Sequence, residues 1–166
     1  MGELHEARQD MPGMAVGFAP EEVDLDLSTR DARLKWVVVV DEALPAGRAS
    51  NAAVCVAAPT AARVPGLLGV DVTDAEGNVH PALPWVGCTV LTADAAALRA
   101  IRAKAGASAD VFVADMPAAA QRTLVYTDYR DAVGRTSAEA MEYCAVSIVG
   151  PRNRVNKIVG RLPLMS

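Results

Sequence analysis

The chain has 166 residues, of which 52% are hydrophobic but only 4% aromatic, and its formal net charge is −4. That length fits one domain able to bury its own core, so disulfides are not required for stability. The longest apolar runs, residues 36–40 and 52–58, fall far short of the ~20 residues that cross a bilayer, which argues against a membrane partner. The start, MGELHEARQD, is charged and does not read as a signal peptide. The three cysteines, Cys55, Cys88 and Cys144, are an odd number set in apolar runs. They read as buried free thiols and, with the absence of a signal, point to a cytoplasmic protein.

Residues 1–34 read as an acidic extension, either unstructured or draped over the body that follows. They hold eight acids against three arginines, a local charge of −5 that leaves +1 for residues 35–166, and the prolines at 12 and 20 break any periodicity. Lys35-Trp-Val-Val-Val-Val-Asp is the strongest strand pattern, a β-branched run of the kind buried on both faces. Glu42–Arg48 reads as a loop broken by Pro45 and Gly47, and an Ala/Val-rich helix follows from Ala49 to about Arg63, with Ser50 or Asn51 as its cap. Strand followed by helix opens an α/β layered domain.

Gly69–Asp74 and Asn78–His80 read as a strand and a short return around Gly77. Gly87–Leu91 is a further strand. Thr92 is placed to cap a helix from about Asp94 to Lys104, ended by Gly106. Asp110–Asp115 reads as a strand, and Pro117 opens a short helical turn through Gln121. Tyr126–Glu142 reads as a polar loop. Tyr143–Gly150 is a buried strand, Pro151–Lys157 fits one or two helical turns, and Gly160–Leu164 is extended.

No cofactor motif is present: neither G-x-G-x-x-G nor a Walker loop occurs, and G-x-S-x-G is absent. Metal ligands are sparse, with His5 in the extension, His80 alone in the body and no C-x-x-C pair. Asp71, Asp74, Glu76 and Asn78 crowd around Gly77 without EF-hand spacing and read as a hairpin turn. Two polar segments remain. Leu44–Asn51 follows the first strand, where the free N–H groups of a helix start meet anions, and carries Arg48 and Asn51. Tyr129–Ser137 offers Asp131, Arg135, Thr136 and Ser137. If the two meet, Arg48 steadies an anion or oxyanion and Asp131 serves as a base.

Lys35–Asp41 with Gly47-Arg48, together with Asp131-Ala-Val-Gly-Arg-Thr-Ser and Val155-Asn-Lys-Ile-Val-Gly-Arg-Leu-Pro-Leu, resembles the type II peptidyl-tRNA hydrolase superfamily over residues 35–65 and 123–166. Asn51-Ala-Ala and the turn at Asp74–His80 are similar to a subgroup of it, the family of unknown function numbered 2000. The resemblance implies an α/β three-layer sandwich, with a mixed, mostly parallel central sheet of four to five strands flanked by helices. It also implies a site in which Gly47 and Arg48 stand at a Gly-Lys pair, Asp131 at an aspartate and Thr136 at a threonine. Arg48 replaces that lysine, and a guanidinium is no tunable base. Ser137 replaces a glutamine, Val133 is an extra residue and Cys55 stands where a histidine is expected. A near-neutral body behind an acidic extension is also a poor tRNA surface.

The expected function is therefore binding of an unidentified small polar or anionic ligand. Arg48, Asp131 and Thr136 form the reactive set, and Gly47, Asn51, Arg135 and Ser137 line it, without a metal or cofactor. The alternatives are an ester or amide hydrolase and an interaction module with a vestigial site. An Ala/Val-rich surface is compatible with a homodimer.

Overall fold

The structure, a computed structural model, describes residues 16–166. Its centre is β1 (Leu34–Asp41), the strand that the Val run foretold, paired in parallel with β4 (Thr89–Ala93) and antiparallel with β6 (Tyr143–Pro151). β5 (Phe112–Pro117) adds to the far edge of β6, giving the order β4-β1-β6-β5. Side chains alternate along β1 between two cores. Trp36, Val38 and Val40 face α1 (Ala46–Arg63), while Val37 and Val39 face α2 (Ala95–Gly106) and α4 (Arg152–Val159). The chain thus has three layers around a sheet of four strands. Leu91 forms a lone bridge to Leu164, so the extended end of the chain runs beside β4.

The sheet is not mostly parallel as expected. One of its three pairings is parallel and two are antiparallel. The reason lies in the connection from β5 to β6. Residues 126–142, expected to be a loop, contain α3 (Tyr126–Gly134), which buries none of its residues. Its apolar residues Tyr129, Ala132 and Val133 are only partly buried, and its main contact is with the turn before it, so α3 lays no face across the sheet. The connection therefore stays at one end of the sheet, and β6 returns antiparallel between β1 and β5.

Other boundaries move for local reasons. α1 begins at Ala46, with Pro45 at the position before it, so neither Ser50 nor Asn51 caps it, and Gly47 and Arg48 fall in its first turn. Proline presets the φ needed there and has no N–H to leave unpaired. Asp94, not Thr92, caps α2, its Oδ1 accepting the Ala97 N–H at 2.8 Å. β2 (Val72–Thr73) and β3 (Val79–His80) form a separate hairpin, and Gly77 supplies its positive φ of 89°.

Of the extension, residues 1–15, and with them His5, lie outside the described residues. Residues 16–33 pack on the body. Phe18 is buried, 4.9 Å from Trp85 between ring centres. A Cβ on Gly66 would come within 2.7 Å of the Phe18 Cβ, so that approach needs glycine. The Arg152 guanidinium donates to the carbonyls of Thr29 and Ala32, at 2.8 and 3.1 Å, and fixes the stretch just before β1.

One polar chain crosses the larger core. The Trp36 indole N–H donates to Ser147 Oγ at 2.9 Å, and the Thr60 hydroxyl donates to the Val56 carbonyl at 2.7 Å. Since Thr60 has used its hydrogen, the 2.8 Å contact between the two hydroxyls has Ser147 as donor. Every donor has one acceptor, and β1, β6 and α1 are joined at a single depth. Ser147→Ala leaves the buried indole N–H unpaired and Thr60 without a donor, which costs about 1–3 kcal/mol. Urea unfolding followed by tryptophan fluorescence measures this; a loss below about 0.5 kcal/mol contradicts it.

Candidate functional site

β1, β4 and β5 all end at the same end of the sheet, where β6 begins, and the carboxyl ends of strands are where open α/β sheets place ligands. A cleft of about 210 Å³ opens there. Asp41 at the end of β1, Arg48 in the first turn of α1, Gln121 and Arg122 after β5, and Glu142 and Cys144 at the start of β6 line it. Its wall is built by irregular backbone. The pairing of β5 with β6 slips at Pro117, which has no N–H for the ladder, and the Ala118 N–H then donates to the Glu142 carbonyl at 2.8 Å. A 3-10 turn over Ala118–Gln121 follows. It is tied to α1 by the Gln121 amide, which donates to the Arg48 carbonyl at 2.9 Å and to Asn51 Oδ1 at 3.3 Å.

The charges of the cleft differ in their partners. Arg122 is paired with Glu142 at 2.9 Å. Asp41 accepts the Ala43 N–H at 2.9 Å through one oxygen. The Arg48 guanidinium is in no ion pair among the described residues. All four charges act on the buried Cys144. Burial pushes its thiol up, Asp41 and Glu142 push the same way, and Arg122 and Arg48 oppose them. Cys144 thus sits in the cleft as a buried thiol whose ionisation its surroundings disfavour.

The structure brings Arg48 and Asn51 together through Gln121, with Gly47 one residue before Arg48, and it places the second expected segment elsewhere. None of Asp131, Arg135, Thr136 and Ser137 lines the cleft. Tyr129 turns inward, its phenol held above the usual range by burial and by Asp115. Two residues along a helix is a turn of about 200°, so Asp131 looks the other way. Its carboxylate lies 3.7 Å from the neighbouring Arg130 guanidinium, and both side chains are exposed. The Thr136 hydroxyl donates to the Ala132 carbonyl at 2.8 Å, Ser137 Oγ accepts the Ala140 N–H at 3.3 Å, and Arg135 ends α3.

The acidic turn at Gly77 is a hairpin. Asp74 takes the N–H groups of Glu76 and Asn78 and the Asn78 amide, which hold its carboxyl below the usual range. Among the described residues, no group of three His, Cys, Asp or Glu is arranged to hold a metal ion, and no helix is long and apolar enough to cross a membrane. A further recess of about 680 Å³, lined by residues 16–20 with Pro65 and Pro151, is mainly apolar, and its Arg33 and Glu22 are paired to each other.

With this geometry in view, the family described as Protein of unknown function (DUF2000) matches residues 34–166. The chain belongs to that family. No curated protein matches it. Among solved structures, a protein of unknown function from Agrobacterium tumefaciens is similar with a TM-score of 0.75 at 19% identity, over 81% of this chain and 98% of that one. At that identity the likeness speaks for the DUF2000 fold alone.

The expectation of three buried thiols holds for Cys144, whereas Cys55 and Cys88 are exposed residues. An apolar run conceals this difference, because α1 exposes Val54 beside Cys55, and Cys88 follows the buried Val86 after only Gly87. Exposure alone does not set reactivity. Desolvation of its sulfur pushes the Cys88 thiol up to about 11, so at pH 8 only about one molecule in a thousand carries the thiolate. Iodoacetamide at pH 8 is expected to modify Cys55 at least tenfold faster than Cys88 or Cys144, as read by peptide mass spectrometry. Equal rates at Cys55 and Cys88 contradict that assignment.

Proposed function

We propose that this DUF2000 protein binds a small polar ligand bearing an anionic group, with Arg48 as its anchor in the cleft at the end of β1. The unpaired Arg48 guanidinium beside an already paired Arg122 carries this reading. Asp41, with an oxygen to spare, suits an amino or hydroxyl donor on the same molecule. The volume corresponds to roughly seven water molecules, which favours a ligand the size of an amino or hydroxy acid.

Gly47 stands beside Arg48 in the first turn of α1, next to the cleft but not among the residues that line it. A Cβ there would meet nothing within 4 Å, and its φ is not in the left-handed region. Packing therefore gives no reason for a glycine in the first turn of α1, where it costs about 0.5–1 kcal/mol relative to alanine. Close approach of a ligand to the backbone gives one. Hydrolysis of an ester or amide draws no support from the outward direction of Asp131, so the binding reading stands ahead of it.

A thermal-shift panel of small amino and hydroxy acids in low salt tests the proposal. At least one compound is expected to raise Tm, and Arg48→Ala to abolish that rise. A rise that survives Arg48→Ala overturns the reading. Gly47→Ala is expected to stabilise the free protein by about 0.5–1 kcal/mol while weakening the same compound. Unchanged binding by a stabilised Gly47→Ala variant removes Gly47 from the site.

A further inference from the structure

Lys35, near the start of β1, lies six residues from its end at Asp41, roughly 20 Å along an extended strand, so it belongs to a different region of the molecule. There a second recess, about 340 Å³, is lined by Arg30, Lys35 and Arg152 with Thr29, Trp36 and Thr89. No carboxylate lines it, and none of its three cations is in an ion pair among the described residues. This concentration of positive charge does not reflect a basic protein, since the whole chain carries −4.

Two of the cations are held in place by neutral acceptors. Arg152 donates to the Thr29 and Ala32 carbonyls, and Lys35 Nζ donates to Asn156 Oδ1 at 2.9 Å. Those bonds fix the directions of the groups without cancelling their charge. Lys35 is half-buried. Burial, and then the neighbouring Arg152, hold its ammonium below the usual lysine range. Two cations partly withdrawn from water beside each other repel, and an anion between them reverses that cost. Arg30, an exposed residue, lines the same recess and adds a third cation.

We propose that this recess binds a small soluble phosphoryl compound, with Arg30, Lys35 and Arg152 around the phosphoryl oxygens and the Thr29 and Thr89 hydroxyls as further donors. Two guanidinium groups and an ammonium match a group carrying two or three negative charges, and planar guanidinium donors fit tetrahedral oxyanions in pairs. The recess holds more than a bare phosphate, about eleven water volumes, which leaves room for a small organic portion next to Trp36. A confined recess on an acidic chain fits a free small molecule better than the continuous basic track that a nucleic acid needs.

Titration calorimetry of the full chain with inorganic pyrophosphate at low ionic strength tests this, with thermal shift as a second reading. Saturable one-to-one binding and a rise in Tm are expected. The Arg30→Ala, Lys35→Gln double variant is expected to bind at least tenfold more weakly. Lys35→Gln keeps an amide donor toward Asn156, and Arg30 is exposed, so circular dichroism should show an intact fold. Arg63→Ala removes a cation from the end of α1 and controls for general loss of charge; it should bind as the unaltered chain does. The absence of saturable pyrophosphate binding overturns the proposal, as does equal affinity in the double variant. Binding to RNA or to anionic vesicles without binding of free pyrophosphate also overturns it.

Discussion

The hydrogen-bonded path from Trp36 through Ser147 to Thr60 and Val56 sets the register between the two layers that every other element consults. Strands rich in valine have little to distinguish one register from the next, because a slide by two residues brings a similar methyl surface to the same face. A buried indole N–H and two buried hydroxyls remove that freedom, since each must find its partner at one depth. Their satisfaction locks β1 against β6 and seats α1 over both. The ends of β1 are thereby fixed in space, and both recesses are built on those ends.

The central strands were legible because burial on two faces leaves a strong imprint: Val37–Val40 is a continuous apolar run, and Ala145–Val149 is apolar but for Ser147. Strand direction left no such imprint. β6 has the composition of a parallel central strand, and only the failure of α3 to cover a face sends it back antiparallel. α3 itself left a weak imprint, because its partly buried side is only Tyr129, Ala132 and Val133 amid charged residues. Proline at the start of α1 was taken as a loop marker when it is equally a helix opener.

The site was half legible. Arg48 could be identified from its place after a strand and at a helix start, which is a local pattern. Gln121, Arg122 and Glu142 lie about 70 residues or more further along the chain and come to the cleft through a slipped ladder at Pro117, a feature with no local signature. Asp131 failed differently. Its neighbours in sequence are polar enough to resemble a site, yet the direction of its helix face depends on Tyr129 packing inward, and a one-dimensional pattern does not reveal which residue of a polar helix is its anchor.

Arg152 has a further meaning when set beside the family boundary. The DUF2000 match begins at residue 34, whereas Thr29 and Arg30 stand before it. The guanidinium of a residue within the match grips the backbone of a segment outside it and so converts part of an accessory stretch into the wall of a recess. The basic recess is thus a composite: Lys35, Trp36, Thr89 and Arg152 stand within the family match, and Thr29 and Arg30 before it. In such an arrangement, exchanging Thr29 and Arg30 alters the wall of the recess while the sheet, its register and the opposite cleft stay as they are.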